Sequence, residues 1–431
     1  MKIGVQTWGS EGDVNPFIAL AAGLSKAGHE VKLAITCSDR KDFKQLAEKL
    51  GFKLGKVDYI GESEEALNKM GKQMIEISNP LSQLKFVFDK MFLPGLSSMI
   101  ETARTLVAEN DLLIGHFIHY PLQSVCETSG KPYITVSLNH GAIPTAYYPP
   151  VPFPNLGKFF NKLMWKLSEK MVNNAILSYI NKCRSSLDLK PVETFRRVWE
   201  SPILNLIAVS PILCPPPEDW AVNNKVCGFF NLDDFTSKWD MPEDLENFLD
   251  SGTPPVYVTL GSMTGTENNS LLVNETTKLL YDAVKIAGCR AVIQSRWEYV
   301  LDVPQVNTIF KVNSAPYTKV FPKCKAVIHH GGAGTTQTVI LCGTPSITIA
   351  HIQDQFLWGH RLKELGIGGH VLSRHSVTSQ EIAKQIKYVL NDFAMKERAN
   401  EIGRLMAKEN GIQCAINLID SLHIEINKSY A

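Results

Sequence analysis

A glycine-rich turn directly after an apolar run is the stretch whose residue types are best suited to chemistry. Residues 326–336 read AVIHHGGAGTT, which predicts a strand, a turn without bulky side chains and the start of a helix. Glycine lets a backbone approach a large anion closely, and a helix N-terminus presents unpaired N–H groups and the positive end of its dipole. With His330 and Thr335 as further donors, the pattern favours a diphosphate site. Taken alone, the turn also fits a tight connection with two packed histidines.

Strand and helix patterns alternate on both sides of this turn. Each half of the chain opens with a strand that ends in Gly-Ser, at residues 9–10 and 261–262, which predicts a doubly wound parallel sheet in each half. Ligands of such sheets bind beyond the carboxyl ends of the strands. A helix is predicted to begin at Pro16, since Pro suits the first turn, and to continue over 17–27, where apolar residues have helical spacing. The predicted strands are 2–8, 31–36, 112–115, 133–137, 256–260, 290–294, 308–312, 326–329 and 346–350.

Length and composition limit the remaining choices. The 431 residues exceed the ~250–300 at which a single core stops growing, so two domains are expected. Lys plus Arg number 44 and Asp plus Glu 43, without the basic excess of a nucleic-acid binder. Nine cysteines without a C-x-x-C pair predict neither a disulfide framework nor a thiolate zinc site, which favours the cytoplasm. Neither a leader peptide nor a transmembrane helix is predicted, because no run approaches ~18 apolar residues.

Four groups of motifs occur in order along the chain. The first is GSEGDVNP at 9–16, and the second is SP at 210–211 with PPEDW at 216–220 and GFF at 228–230. The third is APY at 315–317 with FP at 321–322. The last is HHGGAGTT at 329–336 with GTP at 343–345, DQ at 354–355 and WG at 358–359. Together these motifs resemble the family 1 glycosyltransferases of GT-B fold, in the branch with sterol glucosyltransferases and bacterial natural-product glycosyltransferases.

This resemblance implies an α/β fold of two Rossmann-like domains that face each other across a cleft. An acceptor-binding domain is expected at 1–213, a nucleotide-sugar-binding domain at 214–410, and a helix at 411–431 that packs back on the first domain. The implied reaction moves a hexose, with glucose expected, from a UDP-sugar to a hydroxyl of a lipophilic, sterol-like acceptor with inversion. Neither a metal nor a further cofactor is implied, because helix ends and hydrogen bonds stabilise the leaving diphosphate in this fold.

The donor-binding roles follow from the resemblance at each matching position. A diphosphate is expected at the turn before the helix, a nucleobase at the backbone of Ala315, and sugar hydroxyls at Asp354 and Gln355. A helix cap remains the alternative for Asp354 and Gln355. Thr338 stands where plant-type members place a ribose-binding Glu, so uridine is expected while thymidine stays open. The donor residues are Gly261, Ser262, Ala315, His330, Gly332, Ala333, Gly334, Thr335, Asp354 and Gln355.

Asp13 is the expected general base, at a place where other branches carry His. A carboxylate has an unperturbed pKa of about 4 and is a weak base at neutral pH unless burial raises that pKa. His116 follows the predicted strand 112–115 and is expected to pair with Asp13, with the residue types of other branches exchanged. The alternatives are a helix cap at Asp13 and a packed polar side chain at His116.

Aromatic and methionine residues between 70 and 165 predict either an apolar acceptor pocket or plain core. Four lysines alternate with Phe and Trp at the start of a helix predicted over 158–186. That pattern fits a helix in peripheral contact with a membrane surface or a solvated helix face. These lysines are Lys158, Lys162, Lys166 and Lys170.

Two other functions share the expected architecture. A nucleotide-sugar epimerase needs acid and base carboxylates but no acceptor pocket, so the apolar region between residues 70 and 170 counts against it. A non-catalytic helper of another enzyme is expected to have lost donor residues, and His330, Asp354 and Gln355 count against that hypothesis.

Overall fold

The computed structural model describes residues 1–38, 41–61, 63–77, 79–151, 153–236, 239–261, 270–295, 297, 300 and 303–430. The chain forms two compact units. The first comprises Met1–Glu62, Ile77–Phe235 and Glu409–Ala431, and the second comprises Ser63–Glu76 and Thr236–Lys408. The end of the chain therefore belongs to the same unit as its beginning.

The described strands form one parallel sheet in each unit. The first sheet has the order β3-β2-β1-β4-β5-β6-β7 and the second has the order β10-β9-β8-β11-β12-β13. The prediction of two doubly wound, Rossmann-like sheets is confirmed. The strands are β1 (Lys2–Gly9), β2 (Glu30–Cys37), β3 (Lys53–Tyr59), β4 (Leu112–His116), β5 (Tyr133–Ser137), β6 (Leu204–Ile207), β7 (Asn224–Val226), β8 (Val256–Val258), β9 (Ala291–Gln294), β10 (Ile309–Val312), β11 (Ala326–His329), β12 (Ser346–Ala350) and β13 (Leu372–Ser373).

Helices connect these strands. Short π and 3₁₀ turns lie at Val87–Phe92, Leu93–Gly95, His140–Ala142 and Phe321–Lys323. The α-helices are α1 (Glu11–Lys26), α2 (Lys44–Leu50), α3 (Glu64–Glu76), α4 (Pro80–Phe86), α5 (Leu96–Glu109), α6 (Tyr120–Ser129), α7 (Lys158–Ser185), α8 (Arg196–Trp199), α9 (Asp233–Thr236), α10 (Glu243–Asp250), α11 (Ser270–Ala287), α12 (Tyr317–Val320), α13 (Ala333–Leu341), α14 (Gln353–Glu364), α15 (Ser379–Asn391), α16 (Phe393–Met406) and α17 (Gly411–Tyr430).

Both faces of the second sheet are covered, as a parallel sheet requires. Val256 and Val258 of β8 pack into one apolar cluster with Ile328 of β11. Tyr257, which points to the opposite face, packs into another cluster with Val327. The alternation explains why these strands read as largely apolar runs in the sequence.

Helix α1 begins earlier than the sequence pattern predicts. Glycines and polar residues at 9–13 indicate a turn, yet the helix starts at Glu11 and Pro16 lies inside it. The cause is a reciprocal pair of hydrogen bonds, in which the carbonyl of Ser10 accepts from Asp13 N and the Asp13 carboxylate accepts from Ser10 N, the second being one half of a capping box. Two hydrogen bonds thus fix the first turn before the proline that would otherwise start it.

The C-terminal helix α17 packs on α1 within the first unit. Its residues Ile412, Ala415, Ile416 and Ile419 belong to the same apolar cluster as the buried face of α1. Gly23 is the point of closest approach, because a Cβ built there meets Ile412 Cγ2 at 2.2 Å. The glycine therefore sets the distance between the two helices.

We expect Gly23→Ala to destabilise the protein by about 1–3 kcal/mol, because the added methyl overpacks the contact with Ile412. Gly71→Ala in α3 is the matched control, since a Cβ there has no neighbour within 4 Å, and it is expected to be neutral or stabilising by up to about 1 kcal/mol. Urea unfolding measures both. Equal stability of Gly23→Ala and the unchanged protein would contradict the packing of α17 on α1.

Candidate functional site

Each unit places polar side chains where the strand order of its sheet reverses. In the first sheet this reversal lies between β1 and β4, and in the second between β8 and β11. The helices on the two sides of such a reversal leave in opposite directions, which opens a crevice at the carboxyl ends of the strands. Asp13 and His116 lie at the first reversal, and Gly261 and His330 lie at the second.

Asp13 is held in one orientation by the start of α1. Its Oδ2 accepts hydrogen bonds from Ser10 N at 2.9 Å and from Ser10 Oγ at 3.1 Å. The carboxylate lies against Gly9, where a Cβ would approach Oδ2 to 2.3 Å, so no larger residue fits at that position without movement. The side chain is nevertheless 37% exposed. Asp13 therefore does cap the start of α1, which was the alternative to its role as a base. Both of these hydrogen bonds use Oδ2 and not Oδ1.

His116, the last residue of β4, approaches that second oxygen. Its Nε2 lies 3.7 Å from Asp13 Oδ1, and its side chain is only 3% exposed. The backbone N–H of Ile118 donates to Nδ1 at 3.5 Å, which favours the tautomer with the proton on Nε2. Phe17 of α1 packs on the ring with centroids 5.7 Å apart. The structure therefore brings the two expected residues together with the imidazole N–H facing the carboxylate.

His330 follows β11 and is enclosed by backbone. A Cβ at Gly332 would lie 2.3 Å from His330 Nε2, and one at Gly261 would lie 2.5 Å from His330 Cε1. Gly261 has φ +63°, in the left-handed region that glycine favours. The ring is thus packed between two glycines from separate loops, and burial lowers its pKa to about 4. At neutral pH it is an uncharged imidazole that can donate one hydrogen bond.

The first turn of α13 carries the other residues expected at a diphosphate. Gly332 is its N-cap, and the first helical hydrogen bond runs from Thr336 N to Gly332 O at 2.9 Å. The N–H groups of Ala333, Gly334 and Thr335 precede that bond and have no acceptor within the helix. A Cβ built at Gly334 meets nothing within 4 Å. Three N–H groups at a helix N-terminus, with open space at the Cβ position of Gly334, are an arrangement that accepts an anion.

Gln355 connects α14 to this turn. Its side-chain Oε1 accepts from His351 N at 2.7 Å and from Ile352 N at 3.3 Å, so it caps the start of α14. Gln355 O is also close to Gly331, where a Cβ would lie 2.8 Å away. Asp354 lies in the same first helical turn and is half-buried. A helix cap was the alternative to sugar binding for Asp354 and Gln355, and the structure shows Gln355 in that capping role.

The two remaining donor residues have different outcomes. Ala315 is buried in the loop between β10 and α12, within an apolar cluster that contains Tyr257 and Tyr317. Tyr317 OH and Thr259 Oγ1 are hydrogen-bonded at 2.8 Å, which fixes that loop beside the end of β8. Ser262 lies outside the described residues.

Two residues near the second reversal, His351 and Arg374, were not predicted as site residues from the sequence. His351 directly follows β12, is buried, and has a pKa lowered to about 3 by burial and by the nearby His330 and Arg374. Arg374 directly follows β13 and donates to Thr276 Oγ1 at 2.7 Å. The signal that selected His116, a polar residue at the end of an apolar run, also applied to His351.

The aromatic residues expected around an acceptor divide into buried and exposed groups. Phe88 and Phe92 are buried and stack on Tyr120, with ring centroids 6.0 Å and 5.1 Å away. Trp165 is buried and donates from Nε1 to Tyr148 O at 2.9 Å. By contrast, Phe159 is 76% exposed. The sequence left open an acceptor pocket or plain core for these residues, and Phe88 and Phe92 are packed as core residues.

Two features are absent from the described part of the chain, a membrane-spanning helix and a cluster of metal ligands. No helix there is long and apolar enough to cross a membrane. No group of three or more His, Cys, Asp or Glu side chains there is arranged to hold a metal ion.

Acidification is expected to lower the Tm, because the pKa values of the buried His329, His330 and His351 lie at about 3–4. Between pH 7.5 and 5.5 the unfolded chain binds protons at these residues that the folded chain does not, which costs about 1.4 kcal/mol per histidine. His330→Asn removes one such residue and should reduce the Tm difference between these pH values. His360→Asn, at an exposed position, is the control. An unchanged difference in His330→Asn would contradict the burial of its ring.

Comparison with known proteins agrees with this geometry. Residues 291–414 match the family model of the erythromycin biosynthesis protein CIII-like C-terminal domain. The sterol 3-beta-glucosyltransferase of Arabidopsis thaliana is 28% identical over 97% of this chain and 67% of its own length. That of Komagataella phaffii is 27% identical over 97% of this chain and 34% of its own length. The chain thus spans two thirds of the plant relative and about one third of the yeast relative.

Solved structures show the same fold. The glycotransferase of kitacinnamycin aligns with a TM-score of 0.67 at 16% identity, covering 97% of this chain and 98% of its own. The glycosyltransferase VinC in complex with dTDP aligns with a TM-score of 0.64 at 16% identity, covering 97% and 99%. These structures show the GT-B fold, and together with the family model and the curated relatives they support a family 1 glycosyltransferase of that fold.

Proposed function

We propose that the protein transfers glucose from UDP-glucose to a hydroxyl of a sterol-like lipophilic acceptor, with inversion and without a metal ion. The observation that carries this proposal is the alignment of 97% of the chain with sterol 3-beta-glucosyltransferases of a plant and a yeast. The geometry adds to it, because the first unit carries a positioned carboxylate and the second an anion-accepting turn. Each unit thus supplies one half of the chemistry of transfer.

In this proposal Asp13 accepts the proton of the acceptor hydroxyl through Oδ1. Its Oδ2 is occupied by two hydrogen bonds from Ser10, so the orientation of the carboxylate is set before the acceptor binds. His116 acts as a positioning residue, with its Nε2–H facing Oδ1 at 3.7 Å. A carboxylate is a weak base, but the hydroxyl becomes more acidic as its oxygen bonds to the anomeric carbon. Proton transfer and displacement of the diphosphate therefore proceed together.

The second unit stabilises the leaving diphosphate. The N–H groups of Ala333, Gly334 and Thr335 and the neutral imidazole of His330 are fixed donors for the charge that develops on the leaving oxygen. Gly261 and Gly332 keep that imidazole in place, and Ser262 is proposed to add a hydroxyl. Preorganised donors of this kind replace the charge stabilisation that a cation gives in other transferases.

The rest of the donor is assigned to the loops around this turn. Asp354 is proposed to accept from sugar hydroxyls, while Gln355 orients its helical turn by capping α14 and donates from its amide group. The backbone of Ala315 is proposed to meet uracil. The structure of VinC was determined with dTDP, so competition between UDP and dTDP tests the choice of base.

The direct test follows UDP release from UDP-glucose in the presence and absence of a panel of sterols, flavonoids and macrolides. Release that depends on a sterol is the expected result. Release with dTDP-glucose but not UDP-glucose would correct the donor, and release with a flavonoid or macrolide alone would correct the acceptor. The absence of release with either donor would favour a helper protein, and donor conversion without an acceptor would favour an epimerase.

Asp13→Asn separates the catalytic role of Asp13 from its capping role. Asparagine retains an oxygen that accepts from Ser10 N, yet it cannot take up a proton. We expect kcat to fall by about 10²–10⁴-fold, with an unchanged Kd for UDP and an unchanged Tm. Asp13→Ala should lower kcat similarly and also lower the Tm, since it removes a cap that contributes about 1 kcal/mol. Full activity in Asp13→Asn would show that another group is the base.

Gly334→Ala tests the diphosphate site without disturbing the fold. The added methyl meets no atom within 4 Å outside the adjacent residues and the backbone of its own helix, so the Tm is expected to be unchanged or higher. The methyl occupies the space beside the N–H groups of α13, so Kd for UDP should rise at least about tenfold, equal to about 1.4 kcal/mol.

Gly12→Ala is the matched control, because Gly12 lies in the first turn of α1 and a Cβ there is 3.7 Å from Ser10 Oγ. Isothermal calorimetry with UDP should give the same Kd for this variant as for the unchanged protein. Tight UDP binding by Gly334→Ala would place the diphosphate elsewhere.

A further inference from the structure

The first half of α7 presents an apolar face to solvent. Phe159 and Phe160 are 76% and 49% exposed, and their rings contact each other edge to face with centroids 5.5 Å apart. Leu163, Leu167 and Met171 continue the row with exposures of 49%, 43% and 39%. At 3.6 residues per turn these five side chains span about 120° of the helix surface. Contiguous apolar surface of this kind marks an interaction site more often than single exposed residues do.

The opposite side of α7 fixes the direction in which this face points. Asn161 is buried and donates to Ala146 O at 2.9 Å. Trp165 is buried and donates to Tyr148 O at 2.9 Å. Further along, Ile176 and Ile180 are fully buried. The helix therefore cannot turn its apolar row inward without breaking two buried hydrogen bonds.

A row of lysines runs beside the apolar row. Lys158, Lys162, Lys166 and Lys170 are exposed and recur every fourth residue. Three of them directly precede an exposed Leu or Met, which places each lysine about 100° around the helix from its apolar neighbour. Glu169 is the one acidic residue between 158 and 171, and its carboxylate accepts a hydrogen bond from Thr194 at 2.6 Å. This segment is therefore strongly cationic as well as apolar.

We propose that this α7 face, comprising Phe159, Phe160, Leu163, Leu167, Met171 and the four lysines, docks on an anionic lipid surface. Apolar side chains enter the acyl boundary while lysines reach the phosphate layer with their stems along the apolar surface. The combination of a cationic row and an apolar row complements a charged lipid headgroup over an apolar interior.

A second copy of the chain fits this face less well. A two-fold symmetric interface places the same patch on both sides, so it would bring two rows of lysines together, and the segment 158–171 itself contributes only Glu169 as an acid on each side. An anionic bilayer instead supplies negative charge along the whole row. Docking would bring the first unit to the phase in which a lipophilic acceptor dissolves, but lipid binding itself does not depend on the proposed transferase reaction.

The test is sedimentation of the protein with two kinds of vesicle, without any donor or acceptor. One kind is phosphatidylcholine alone. The other contains about 30% phosphatidylglycerol, which gives its surface a negative charge. We expect binding to the anionic vesicles that weakens as salt rises. Phe159→Ser/Leu163→Ser should weaken it by about tenfold or more. Lys162→Gln/Lys166→Gln should weaken it by about thirtyfold.

Matched controls come from the second unit, where Phe393 is 74% exposed and Lys384 and Lys387 are exposed on α15. Phe393→Ser and Lys384→Gln/Lys387→Gln should bind vesicles as the unchanged protein does.

Equal binding by all variants, or no binding to anionic vesicles, would overturn the proposal. Self-association in analytical ultracentrifugation that is lost in Phe159→Ser/Leu163→Ser, without vesicle binding, would assign the face to a second copy. UDP release by these variants with a water-soluble acceptor reports separately on the transferase proposal.

Discussion

The reversal of strand order in each parallel sheet is the constraint on which the candidate site depends. Strands β1 and β4 are neighbours in space although two strands separate them in the chain, and the same holds for β8 and β11. Because all these strands are parallel, their carboxyl ends lie at one edge of the sheet, and the connections on either side of the reversal diverge. This arrangement brings Asp13 to His116, and Gly261 to His330, across long stretches of sequence.

Glycine is required where polar side chains pack against backbone at these reversals. The carboxylate of Asp13 occupies the space that a Cβ at Gly9 would need, and the His330 ring occupies the space beside Gly261 and Gly332. In each case the absence of a side chain permits a buried or half-buried polar group to lie against the chain. The cost is a histidine kept neutral by burial, with a pKa lowered to about 4. A neutral donor fixed in place can stabilise developing charge without reorganising at the moment of reaction.

The sequence predicted strands well where an apolar run ends at turn residues, and it predicted β5, β11 and β12 with the bounds that the structure has. It misplaced the start of α1, because the reciprocal bonds between Ser10 and Asp13 convert an apparent turn into a helical one. The capping role of Gln355 and the burial of His351 depend on contacts between distant loops, which periodicity does not report. The sequence likewise predicted a helix in which lysines alternate with Phe and Trp, but only the structure shows that Trp165 is buried and Phe159 exposed.

The anomeric configuration of the product distinguishes direct displacement at the anomeric carbon from other routes of sugar transfer. A single displacement at the anomeric carbon, with Asp13 as base and the diphosphate held by α13, converts an α-linked donor into a β-linked product. Proton NMR of the glucoside formed from UDP-glucose and a sterol should therefore show only the β-anomer. An α-linked product would contradict direct displacement, and release of free glucose alone would contradict transfer to an acceptor.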